Sequence, residues 1–117
     1  MIFTKEHAAQ ILAGKQSATL LPPDRDIRPQ SVRTLRRRVM RHDQDGTELG
    51  WETSTVEQGD GEDRLPVKIT IVSADVISLD AITLQRAQWC GHRTIVGCRT
   101  AFEAAHPEHG CALLVRF

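Results

Sequence analysis

The sequence predicts a mixed α+β domain, a small curled sheet or β-barrel with short flanking helices. Three observations predict it. An amphipathic helix opens the chain, several β-patterned segments fill its middle, and two helices followed by an apolar strand close it. No repeat and no linker long enough to divide the chain intervenes, so residues 1–117 read as one domain.

Thr4 is a helix cap, and Ala8, Ile11 and Leu12 recur at helical spacing, so a helix is expected from Lys5 to Ala13. Gly14 stands where such a helix stops, with Lys15 near the negative end of its dipole. Ser17 to Leu21 reads as a short extended piece, broken by Pro22-Pro23-Asp24. Residues 25–30 read as an exposed loop. Ser31 to Met40 sets Val32, Leu35 and Val39 among arginines, and its periodicity suits a strand or a short helix equally. A turn at Asp43-Gln44-Asp45-Gly46 leads to a strand over Thr47–Val56, and Gln58 to Asp63 is a further turn or loop.

Leu65 to Ile77 is the clearest strand, with Val67, Ile69 and Ile71 on one face and Lys68 and Thr70 on the other. A polar break at 78–80 precedes a helix capped by Thr83 that runs to Cys90 and ends at Gly91. A second helix spans Thr94–Ala105, with Ile95, Cys98, Phe102 and Ala105 on one side. Cys111–Phe117 is the final strand.

With 40% apolar and 26% charged residues the chain carries enough apolar surface to fold. Aromatic residues are 4% and Tyr is absent, so the core is expected to be aliphatic and no flat aromatic platform of the RNA-recognition type is expected. No run reaches the length of a membrane span, and Met1–Lys15 lacks the pattern of a signal peptide. Three cysteines cannot all pair within the chain, and reduced thiols in a cytoplasmic protein are expected.

The net charge of zero is the sum of two opposed blocks. Residues 25–41 hold seven arginines and one acid, Asp26; residues 43–63 hold eight acids and neither Lys nor Arg. A basic block raises the local concentration of anionic partners such as nucleic acid. The plainer alternative is that the blocks neutralise each other as neighbouring strands or loops.

Three stretches resemble the ASCH family of the PUA-like superfamily. Ile11-Leu12-Ala13-Gly14-Lys15-Gln16-Ser17-Ala18-Thr19 is similar to the segment after its first helix. Leu65 through Ile77-Ser78-Leu79-Asp80-Ala81-Ile82-Thr83 to Ala87 resembles its central strand, turn and following helix. Leu113-Leu114-Val115-Arg116-Phe117 resembles its closing strand. The resemblance implies a small β-barrel with a cleft lined by the segment after the first helix, and a role in binding RNA. It also implies an enzymatic alternative, because one branch deacetylates N4-acetylcytidine nucleosides and others have been linked to RNA cleavage. The deacetylase residues transfer incompletely: the Thr falls on Thr19, the Lys on Gln16 beside Lys15, and the Glu on or near Cys90.

Lys15, Ser17 and Thr19 would share one face of an extended segment, and a cation with two hydroxyls suits a phosphate, ribose or base edge. Were the chain an enzyme, Thr19 assisted by Lys15 would be its catalytic pair. Arg33, Arg36, Arg37, Arg38 and Arg41 are the second nucleic-acid-binding group, because guanidinium binds phosphate as a planar fork and stacks on bases; Trp51 is the aromatic best placed to interleave with them. The third cluster, Cys90, His92, Cys98, His106, His109 and Cys111, lacks paired zinc-knuckle spacing, so no metal and no cofactor is expected. Cys90 would sit at a helix C-terminus, the wrong end to stabilise a nucleophilic thiolate. Asp75, Asp80 and Glu103 are carboxylates that nothing pairs for acid–base work.

The expected partner is therefore nucleic acid, RNA before DNA, with no membrane role. The expected state is a monomer or weak homo-oligomer, head-to-tail association of the two charge blocks being a further reading.

Overall fold

Polar caps delimit the helices in the computed structural model, which describes residues 1–117. Helix α1 (Lys5–Leu12) begins where Thr4 Oγ1 accepts the His7 N–H at 3.2 Å. It ends at Ala13, and Gly14 reverses the chain with φ of 72°, a conformation costly for any residue with a Cβ. Helix α2 (Leu84–Trp89) is capped by Thr83, and α3 (Ile95–Ala105) by Thr94, whose Oγ1 accepts the Gly97 N–H at 2.9 Å. None of these helices is long and apolar enough to cross a membrane.

The strands form four hydrogen-bonded groups. Strand β1 (Ile2–Thr4) runs parallel to β4 (Arg36–His42), which pairs antiparallel with β5 (Glu48–Thr55). Strands β2 (Ala18–Leu21) and β9 (Ser73–Ser78) flank β10 (Cys111–Arg116), both antiparallel to it. Strand β3 (Val32–Thr34) pairs with β8 (Lys68–Thr70), and β6 (Glu57–Gln58) with β7 (Leu65–Pro66). The fold is a small α+β arrangement of three helices and several sheets, and no sheet closes into a barrel.

Residues 31–40 resolve as strand rather than helix. Leu35, fully buried, is the pivot: its N–H donates to the Val67 carbonyl at 2.8 Å and its carbonyl accepts from Val56 at 2.9 Å, so the chain changes sheets there. Leu65–Ile77 is not one strand. Pro66 has no N–H to continue a ladder, and the segment pairs successively with β6, β3 and β10. The alternation expected of it survives the breaks, for Ile69 and Ile71 are buried while Lys68 and Thr70 are exposed.

Strand β10 organises the interior. Ala112 and Leu114 pack with Ala87, Cys98 and Phe102 of the helices, whereas Leu113 and Val115 turn to the other face against Ile71. A third cluster joins Phe3 and Ala8 to Leu35, Val56 and Ile69. Away from these clusters the β4–β5 hairpin reaches into solvent, and residues 41–52 are exposed throughout. Its turn is held by Asp43, whose Oδ1 accepts the N–H groups of Asp45 and Thr47 at 2.9 Å each.

Candidate ligand cleft and arginine face

The first turn of α1 and strand β2 build one wall of a cavity of about 150 Å³, and α3 with the end of α2 builds the other. His7, Thr19, Cys90, His92, Phe102 and His106 line it. Gln16 fixes one side. It is buried, its Nε2 donates to the Ala18 carbonyl at 3.0 Å, and its Oε1 meets His7 Nδ1 at 2.7 Å. The carbonyl-type acceptor thus assigns the Nδ1–H tautomer to a neutral His7 and leaves Nε2 as an acceptor. The His7 and His92 rings lie 5.9 Å apart. Burial, and then the neighbouring His7, hold the His92 imidazole below its ordinary range.

The three positions singled out by the resemblance meet here. Thr19 and Cys90 line the cavity and Gln16 holds its imidazole wall. Cys90 is buried at the C-terminal end of α2, and its thiol is pushed up by its hydrogen bond with Cys98 and by burial. It stays protonated and is no ready nucleophile. The chain forms no cluster of three or more His, Cys, Asp or Glu side chains placed to hold a metal ion.

Lys15, Ser17 and Thr19 do not share a face. The two-residue period holds only within a strand, and β2 begins at Ala18. Before it, the N–H groups of Lys15 and Gln16 both donate to the Gln10 carbonyl, which keeps this stretch wrapped over the end of α1. Lys15 therefore lines a separate, wholly polar pocket with Gln10, Gln88, Gly91, His92 and Arg93, joined to the first through His92. Ser17 lines neither; its N–H donates to the Trp89 carbonyl at 2.8 Å.

The arginine block forms a second region. Arg36 and Arg38 point to one face of β4, and Arg37 and Arg41 to the other. Arg41 pairs with Glu52 at 3.0 Å, while Arg33, Arg36, Arg37 and Arg38 have no carboxylate within ion-pair distance. The acidic block therefore neutralises its neighbour at one contact only. The Arg38 guanidinium lies 4.8 Å from the centre of the Trp51 ring, and Trp51 remains 60% exposed. Lys5 lines the same groove. Towards the Met1 end of β1, Arg25, Arg33 and Arg36 enclose a cavity of about 320 Å³ with Phe3, Leu21 and Ile27.

The region thus divides into an imidazole-walled cleft and an arginine surface, which share no lining residue. Sequence reasoning missed His7 and Arg25. His7 stands four residues before Ile11, on the edge of the apolar stripe, and that was its one signal. Arg25 looked like an ordinary loop cation. Comparison with protein-family models, with curated proteins and with solved structures finds no match for this chain.

Proposed function

We propose that this chain is a single-strand RNA-binding module of ASCH-like, PUA-like character, with the β4–β5 face as its principal contact surface. One observation carries the reading: Arg33, Arg36, Arg37 and Arg38 have no carboxylate partner, and an exposed Trp51 on β5 already lies against the Arg38 guanidinium. Free guanidinium groups take backbone phosphates, and the open indole surface takes a base, the combination that single strands require. The preference for RNA over DNA rests on the resemblance of the 11–19, 65–87 and 113–117 segments.

Titration of a short fluorescent RNA tests this. Four phosphate contacts give a slope of roughly −3 in log affinity against log salt, so raising salt from about 50 to about 200 mM should weaken binding about 50-fold. Trp51→Ala should cost a further 1–3 kcal/mol or so in binding free energy, the usual worth of one stacked base. Absence of binding, or binding indifferent to salt, overturns the proposal; equal binding of DNA of the same sequence removes the RNA preference.

A second reading, hydrolysis of RNA or of a modified nucleoside such as N4-acetylcytidine, is favoured by Thr19 sharing its cavity with His7 and His92. His7, rather than Lys15 in the adjoining pocket, would then accept the Thr19 proton. Turnover of either substrate that disappears in Thr19→Ala would establish it; absence of turnover leaves the binding reading alone.

A further inference from the structure

We propose that the cavity enclosed by Arg25, Arg33 and Arg36 is a receptor for a phosphate monoester, borne either by the 5′ end of an RNA strand or by a free mononucleotide. The strand form of this assignment rests on the RNA-binding reading above; the mononucleotide form does not.

The three arginines arrive from three places: the loop after β2, strand β3 and strand β4. None of them makes an ion pair, and no Asp or Glu lines the cavity. Gathering three like charges around one cavity is unfavourable, and a multiply charged anion relieves that repulsion. The Met1 amine in the same cavity reports the field, being held below its ordinary range by burial and then by Arg33 and Arg36. A phosphate monoester brings a charge of about −1.5 to −2 and three acceptor oxygens, matched to guanidinium forks. An internal diester brings one charge and two free oxygens, and its strand must both enter and leave. The rest of the lining is apolar, with Met1, Phe3, Leu21 and Ile27 among it. That surface suits a sugar or base, and a volume of about 320 Å³ lies within the usual range of small-molecule sites.

The experiment uses one short RNA, labelled at its 3′ end, prepared with a 5′-phosphate and with a 5′-hydroxyl. Anisotropy titrations of the whole chain should give about tenfold tighter binding of the phosphorylated form. A nucleoside monophosphate should compete for the 5′-phosphate site where the unphosphorylated nucleoside does not, and inorganic phosphate should compete more weakly. Arg25→Gln, a substitution in an exposed loop, should abolish the preference and leave affinity for the 5′-hydroxyl RNA nearly unchanged. Arg38→Gln should weaken both RNAs equally and preserve their ratio.

Equal binding of the two RNAs overturns the receptor and leaves the strand-binding reading standing. So does a preference that persists in Arg25→Gln. Binding of the monophosphate, lost in Arg25→Gln, with no binding of either RNA, supports the receptor and removes the strand-binding reading.

Discussion

Gln16 is 3% exposed and both ends of its amide are engaged, one by the Ala18 carbonyl and one by His7. Gln16→Leu keeps the bulk and strands both partners, which should lower stability by about 1–3 kcal/mol; urea unfolding of the two proteins measures it. His92 makes the cleft sensitive to acid. Its imidazole is held below the ordinary value of 6.5, so between that value and the lowered one the unfolded chain binds more protons than the folded. The stabilisation is complete above pH 6.5 and is lost as pH falls through the lowered value. Melting temperature should therefore drop in that window, and by less in His92→Gln. At this scale the sequence was partly legible. Thr19 and Trp51 stood out by their motif and their chemistry. The Gln16–His7 contact did not, because a bond across nine positions depends on how the chain wraps past Gly14.

Strand β4 shows what an element does with a run of arginines. Alternation sends Arg36 and Arg38 one way and Arg37 and Arg41 the other; on the first face Arg36 lines the cavity shared with Arg25 and Arg33, and Arg38 the groove of Trp51, so one strand serves two surfaces along its length. The only carboxylate reaching across from β5 is Glu52. Removing it in Glu52→Gln should free Arg41 and tighten RNA binding about two- to threefold at low salt, a gain that fades as salt rises. Titrations of the variant at two salt concentrations decide it. Helices were the legible elements, since Thr4 and Thr83 cap where expected and the last helix runs to Ala105 as expected, starting at Ile95 after a Thr94 cap. Strands were less so. Val67–Ile71 carries a clean alternation, but alternation records only which side is buried, not which strand lies alongside. Pro66 was the local sign that pairing would change. The three-residue β1 had no sequence signal, and its parallel register with Arg36–Arg38 comes from tertiary contact alone.

For the whole molecule, the radius of gyration is 15.5 Å, where a fully compact chain of this length has about 13 Å. The solvent-reaching β4–β5 hairpin accounts for the difference in shape, its tip standing clear of the three core clusters. Amide hydrogen exchange should follow the same division. Residues 43–50 should exchange fastest and Leu113–Val115, buried and paired on both sides, slowest; protection of the hairpin tip equal to that of β10 would contradict this account. The pairing of β2 with β10 also has a kinetic meaning. It joins Leu21 to Leu113 and Ala18 to Arg116, partners from opposite ends of the chain, whereas β4 and β5 are neighbours across a short turn. Closing the longer loop carries the larger entropic cost and belongs to the slow, non-local part of folding. The hairpin bearing the cations needs only local closure, so an incompletely folded chain can display its arginines before the wall that carries Thr19 exists.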